Sequence, residues 1–131
     1  MGIDKVLIDT HVLLWWWSEP DQLSSKVVSL LQAIDIDVYV SAVSAWEIST
    51  KTRIGKLPIG NVIIPQWHAR LDEDDFFQLD INSSHSLLAG SLESPHRDPF
   101  DRMLGAQSIL EELPLISRDE AMDSFGLERI W

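Results

Sequence analysis

Five acids stand where a parallel sheet would put them to chemical use. Asp9 ends the apolar run Lys5-Val-Leu-Ile-Asp9, Glu47 lies just past the run Asp37-Val-Tyr-Val-Ser41, Asp119 follows Pro114-Leu-Ile-Ser117, and Asp98 and Asp101 sit at the start of a helical segment. Open parallel sheets bind ligands beyond the carboxyl ends of their strands, so these acids are expected to converge on one edge. Carboxylates gathered there repel one another unless some are protonated or a cation is bound. A divalent metal is the simplest resolution, and oxygen-only ligands favour Mg²⁺ or Mn²⁺ over Zn²⁺. The four histidines, His11, His68, His85 and His96, show no zinc-type pairing such as HExxH and are read as solvated or core residues.

Each acid also has a plainer role open to it. Asp9 can cap the helix that begins near His11, and Asp119 can serve a turn. Glu47 can form an exposed i,i+4 pair with Lys51, worth only about 0.3–0.5 kcal/mol. Asp98 precedes Pro99 and suits an N-cap, with Asp101 as reciprocal partner in a capping box that has Asp in place of Glu. Singly, none of the acids decides the matter.

The elements that must position them follow from apolar spacing. Short apolar runs without alternation read as buried parallel strands, here at 5–9, 37–41, 76–79 and 114–117, with a short last strand over 127–131. Helices are expected over 11–17, from Leu23 to Ile34, from Ser41 or Ser44 to about Ile54, over 83–92 and over 99–112. In the last of these, Met103, Ala106, Leu110 and Leu113 recur at helical spacing. Leu57 to Ile64, with two prolines and a glycine, reads as a loop, followed by a helical turn at 66–71; 93–98 is a connecting loop. Strands alternating with helices predict a three-layer α/β/α sandwich with a mostly parallel central sheet.

Composition narrows the chemistry. The chain of 131 residues is expected to form one domain over 1–131. Ten Lys and Arg against 21 Asp and Glu give a formal charge of −11, the wrong sign for holding nucleic acid through a basic surface. Any polyanion must therefore meet a local exception, either a metal ion or a few placed arginines. With no cysteine, disulfides, thiolate zinc sites and cysteine nucleophiles are excluded. The first ten residues lack the layout of a signal peptide, and the run Val12 to Trp17 is too short to cross a bilayer, so a cytoplasmic protein without membrane contact is expected.

The same segments carry a resemblance. Leu7-Ile-Asp9-Thr-His-Val-Leu-Leu-Trp15, Ser44-Ala-Trp-Glu47-Ile, His96-Arg-Asp-Pro-Phe-Asp101-Arg-Met-Leu and Ser117-Arg-Asp119 resemble, in order and spacing, the PIN-domain ribonucleases, in particular the VapC-like toxins of toxin–antitoxin pairs. Ser117 stands where many members have Thr, and the triple Trp15-Trp16-Trp17 is richer than usual. The resemblance implies a metal-dependent endoribonuclease acting on RNA, with Asp9, Glu47, Asp101 and Asp119 as its acidic quartet. Asp98, in the same motif, ranks below Asp101 as a contact to one or two Mg²⁺ or Mn²⁺ ions. In that chemistry the nucleophile is water and the products carry 5′-phosphate and 3′-hydroxyl ends. Arg97, Arg102 and Arg118 flank the third and fourth acids and suit RNA phosphate, unless they bridge to those acids.

Three consecutive tryptophans on a helix point over about 200°, so at least one of Trp15, Trp16 and Trp17 is expected to be exposed. Clustered exposed aromatics mark partner surfaces, and the resemblance implies an antitoxin segment or a second protomer, as a homodimer, at that surface. The alternative is a core pair with one stray surface ring. Three other classes compete with the nuclease. A receiver domain is acidic, α/β and Mg²⁺-binding but needs a Lys after its last strands, and the final lysine here is Lys56. A DxDx[TV] phosphatase wants an acid where His11 sits. A catalytically inactive binding module would not need the retained acids.

Overall fold

The computed structural model describes residues 2–131. Strand β1 (Lys5–Ile8) leads into α1 (Thr10–Ser18) and α2 (Ser25–Gln32), then β2 (Asp37–Ser41) and α3 (Ala42–Arg53). A short α4 (Gly60–Ile63), α5 (Trp67–Glu73), β3 (Phe77–Leu79), α6 (Ser83–Ser91) and α7 (Pro99–Leu110) follow. The chain closes with β4 (Leu115–Ile116), a 3₁₀ turn (Glu120–Phe125) and β5 (Arg129–Ile130). The five strands form one sheet in the order β3-β2-β1-β4-β5, and every pairing is parallel. No helix among the described residues is long and apolar enough to cross a membrane.

Alternate strand residues feed two separate cores, which is why the strands read as continuous apolar runs. Val6, Ile8, Val38, Val40 and Ile116 pack with Val12 and Leu13 of α1, Val27 and Leu31 of α2, and Trp67 and Leu71 of α5. On the other face, Leu7 and Leu115 pack with Val43, Leu104, Met122 and Phe125. Helices therefore cover both sides of the sheet, as the alternating pattern predicts.

Several local expectations are corrected. The segment read as a loop over 57–64 contains α4, and Gly60 lies so close to α3 that an added Cβ would fall 1.8 Å from Thr52 Oγ1. Ile34, expected on the buried stripe of α2, lies past its end and is fully exposed. In α7 the buried face runs through Leu104, Gln107 and Ser108, while Leu110 is exposed. That face is chosen by contact with α6 and the 3₁₀ turn, which local spacing does not encode. Gly105 makes the close approach to the turn, since a Cβ there would lie 2.8 Å from the Phe125 ring. Gly105→Ala is expected to overpack this contact and cost about 1–3 kcal/mol in chemical unfolding; an unchanged midpoint would show that the ring yields freely.

Candidate active site

Strands β1 and β4 are neighbours although the chain leaves β1 for β2, so the connections diverge at β1 and open a crevice at its carboxyl end. Asp9 stands at that point. Its carboxylate accepts from the Val12 N–H at 2.8 Å, capping α1, and the residue is 7% exposed. Burial raises its pKa, opposed by the Ser117 side chain, the Val12 N–H and His11; the charge of Glu47 pushes it further up. The cap and the inward-facing acid are thus one residue.

Ser41 ends β2 and caps α3 through the Val43 N–H at 3.0 Å, which starts the helix at the sheet edge and turns Glu47 inward. A hydrogen bond between Thr10 and Ser44 at 2.9 Å ties α3 to α1. Glu47 is 3% exposed, so its pair with Lys51 is no surface ornament. Lys51 donates to Oε2, whereas Oε1 is buried with no hydrogen-bond partner. An unpaired buried carboxylate oxygen is costly, and it is the type of donor a hard divalent cation satisfies.

Asp98 caps α7 through the Phe100 and Asp101 N–H groups at 2.8 and 3.3 Å. The reciprocal half of the expected capping box does not form, because the Asp101 carboxylate accepts from His96 Nε2 at 2.8 Å instead. Burial first, then the charges of Asp98 and Glu47, push the Asp101 pKa up to about 6, against the pull of His96. Asp119 is exposed and caps the 3₁₀ turn through the Ala121 N–H at 3.0 Å.

One ligand atom each from His96, Asp101 and Asp119 lies within 4.8 Å of the others. Asp9 and Glu47 are not in that group: Asp9 is held by the Val12 N–H and Glu47 by Lys51. Their influence reaches it nonetheless, since the Glu47 charge acts on both Asp9 and Asp101. The donor set, hard oxygens with one imidazole, the orphaned Glu47 oxygen and the raised acids together fit a divalent metal. By sequence alone His96 reads as a solvated or core residue. Its place two residues before Asp98 in the same motif was the available signal, and here its ring stacks on Phe125 at 5.5 Å and 17°.

The arginines part company. Arg102 donates to the carbonyls of Ala89, Leu92, Ser94 and His96, so its guanidinium braces the 89–96 segment and is not free for phosphate. Arg97 is exposed. Arg118 is exposed, lies 6.0 Å over the Trp15 ring, and borders a cavity of about 260 Å³ with Asp9, His11 and Asp119. The tryptophans do not form the exposed surface expected of them, for each is half-buried against its own neighbour. Trp15 meets Trp131 edge-on, Trp16 meets Phe76, and Trp17 meets Trp67 while its Nε1 donates to Asp74 at 2.7 Å. Helix α1 has cover on several sides, so a 200° spread still finds partners. The exposed tryptophan is Trp46, beside Glu47 and edge-on to Phe100.

The chain and its fold resemble known proteins. The chain is similar to Ribonuclease VapC22 of Mycobacterium tuberculosis, with 28% identity over 120 residues that cover 91% of this chain and 90% of that one. Its fold matches VapBC2 from Rickettsia felis, solved bound to a DNA fragment from their promoter, with a TM-score of 0.68, 14% identity and coverage of 97% and 98% of the two chains. It also matches a toxin-antitoxin complex from Klebsiella pneumoniae, with a TM-score of 0.59, 17% identity and coverage of 87% and 86%. The PIN domain family model matches residues 6–127, which hold all five acids together with His96, and the chain belongs to the PIN domain family.

Proposed function

We propose that residues 1–131 act as a single-domain cytoplasmic endoribonuclease, the toxin of a toxin–antitoxin pair, cutting RNA by water attack supported by Mg²⁺ or Mn²⁺. The observation that carries this reading is the cluster of His96, Asp101 and Asp119 donors, together with the charge of buried Glu47, one of its oxygens orphaned, acting on both Asp9 and Asp101. The similarity to a mycobacterial ribonuclease supports the substrate class, and the fold shared with a toxin-antitoxin complex from Klebsiella supports the partner.

Asp9, Glu47, Asp101 and Asp119, with His96, would hold one or two ions, and Asp98 stays mainly a helix cap. When bound, a divalent ion supplies an activated water nucleophile and neutralises charge on the scissile phosphate and leaving oxygen. His96 orients the Asp101 carboxylate and, stacked on Phe125, keeps it from swinging back to the helix cap. Burial of Asp9 and Glu47 holds two acids in low dielectric, where their attraction for a cation exceeds that of surface acids. Arg118 and Arg97, exposed beside the fourth and third acids, take phosphate oxygens of the substrate. No protein nucleophile is needed.

The deciding experiment incubates purified protein with RNA and, separately, with acetyl phosphate. Cut RNA with 5′-phosphate and 3′-hydroxyl ends, and no phosphorylated protein, is the expected result. A stable acyl phosphate without RNA cleavage would reject the nuclease in favour of a receiver-like switch.

A further inference from the structure

We propose that the cavity between α1 and α3 is a subsite for an RNA nucleotide beside the cut, with Lys51 and Lys56 as its phosphate contacts, and that Lys51 is released to this task when a divalent ion takes over Glu47. This rests on the nuclease reading. The cavity measures about 370 Å³, within the size range of small-ligand sites. Trp15 and Ile59 contribute apolar wall, Lys51 and Lys56 the cations, Glu47 ties it to the acidic centre, and Glu19 also borders it. An aromatic wall with cations alongside suits a base and its phosphate, since bases stack on aromatic rings without regard to sequence.

The charges of the chain make this placement telling. Among ten basic side chains, Arg102 is committed to carbonyls and Arg129 to Asp123 and the Ser117 carbonyl, whereas two lysines share one cavity with a catalytic acid. Lys51 is one-third exposed and Glu47 nearly sealed, so the ammonium stands at the cavity wall with its partner behind it. An ammonium has three donors, and one carboxylate oxygen uses one of them. In the metal-free protein Lys51 supplies the positive charge that the buried carboxylate requires. A divalent ion at Glu47 would supply that charge instead and repel the ammonium, whose flexible four-carbon stem lets it turn to an incoming phosphate. Glu19 disfavours phosphate at its own side and leaves the lysine side for it.

Lys51→Met, Lys51→Arg and Lys56→Met would be compared for cleavage of a random-sequence single-stranded RNA 12-mer across a salt series, and for Mn²⁺ binding by electron paramagnetic resonance without RNA. For Lys51→Met, KM should rise roughly tenfold, more than kcat falls, with largely restored KM in Lys51→Arg. The salt slope of log kcat/KM should shrink by about 0.7, the value for one phosphate contact on a single strand. Mn²⁺ should bind Lys51→Met roughly tenfold more tightly, because no resident cation has to leave. Lys56, exposed and without an ion pair to Glu47, tests the subsite without disturbing the fold: its Met variant should lose salt slope while Mn²⁺ affinity stays the same. Unchanged KM and slope in both Met variants, with cleavage intact, would overturn the subsite and leave the nuclease standing. Weaker Mn²⁺ binding in Lys51→Met would overturn the hand-over and make Lys51 a mere prop for Glu47. No cleavage by the wild-type protein would bring down the nuclease reading, and the subsite with it.

Discussion

Asp101→Asn is expected to reduce RNA cleavage by about 100-fold or more while making the metal-free protein more stable at pH 7.5, and Asp98→Asn to do neither. Loss of a residue that merely orients a metal ligand costs about 10–100-fold, so loss of an anionic ligand belongs at or beyond the upper end. Stability moves the other way because the Asp101 carboxyl, with a pKa of about 6 against an ordinary 3.8, is held in a place that disfavours its charge. A folded-state pKa above the unfolded one favours the folded protein most below pH 3.8, and that advantage is lost as pH rises through 6. Above pH 6 the wild type thus carries a partly buried charge that Asn lacks. The shift alone would correspond to about 3 kcal/mol, but the side chain is 24% exposed, and solvent screening reduces the expected gain to about 1 kcal/mol, or roughly 3–5 °C in Tm. The difference should vanish near pH 4, where Asp101 is protonated in the fold. Asn caps about as well as Asp, so Asp98→Asn should stay within roughly 0.5 kcal/mol and retain measurable cleavage. Thermal melts from pH 4 to 8 and cleavage rates would check both variants; a dead Asp98→Asn beside a fully active Asp101→Asn would reverse the assignment of the third acid.

Removing divalent metal is expected to have the largest effect of all. Excess EDTA should bring cleavage to background, and Mg²⁺ or Mn²⁺ should restore it, because the proposed nucleophile is a water activated by the ion. Without RNA, the ion should also stabilise the fold, since it relieves repulsion among Asp9, Glu47 and Asp101 and satisfies the orphaned Glu47 oxygen. At a hundredfold excess over Kd the gain is about 2.7 kcal/mol, roughly 10 °C for a chain of this size. Monovalent salt at equal ionic strength is the control, because screening alone should give a much smaller rise. Undiminished cleavage in excess EDTA, after contaminating nuclease has been removed, would defeat the metal mechanism. A melting point indifferent to Mg²⁺ and Mn²⁺ would show that the acids do not form a metal site.

The strands, most helices and the placement of Asp9, Glu47 and Asp119 after their strands were legible in the chain because they rest on local signals: unbroken apolar runs, helical spacing, and caps such as Ser41 and Asp98. Where a long side chain ends was not legible, since that depends on what another segment brings within reach. Arg102 sits among acids in sequence yet spends its donors on carbonyls 6 to 13 residues away. Asp101 looks like half of a capping box, but an Asp side chain is short and His96 is folded against it. Glu47 and Lys51 show the i,i+4 spacing of a trivial surface pair, and burial at the sheet edge turned that pair into part of the candidate centre. The tryptophans gained cover from Trp131, Phe76 and Trp67, between 50 and 116 residues distant along the chain. Local spacing sets which residues can share a face; packing across the sheet sets which of those faces is buried and which partner each polar group meets, and at this strand edge that choice sets which acids face the candidate centre.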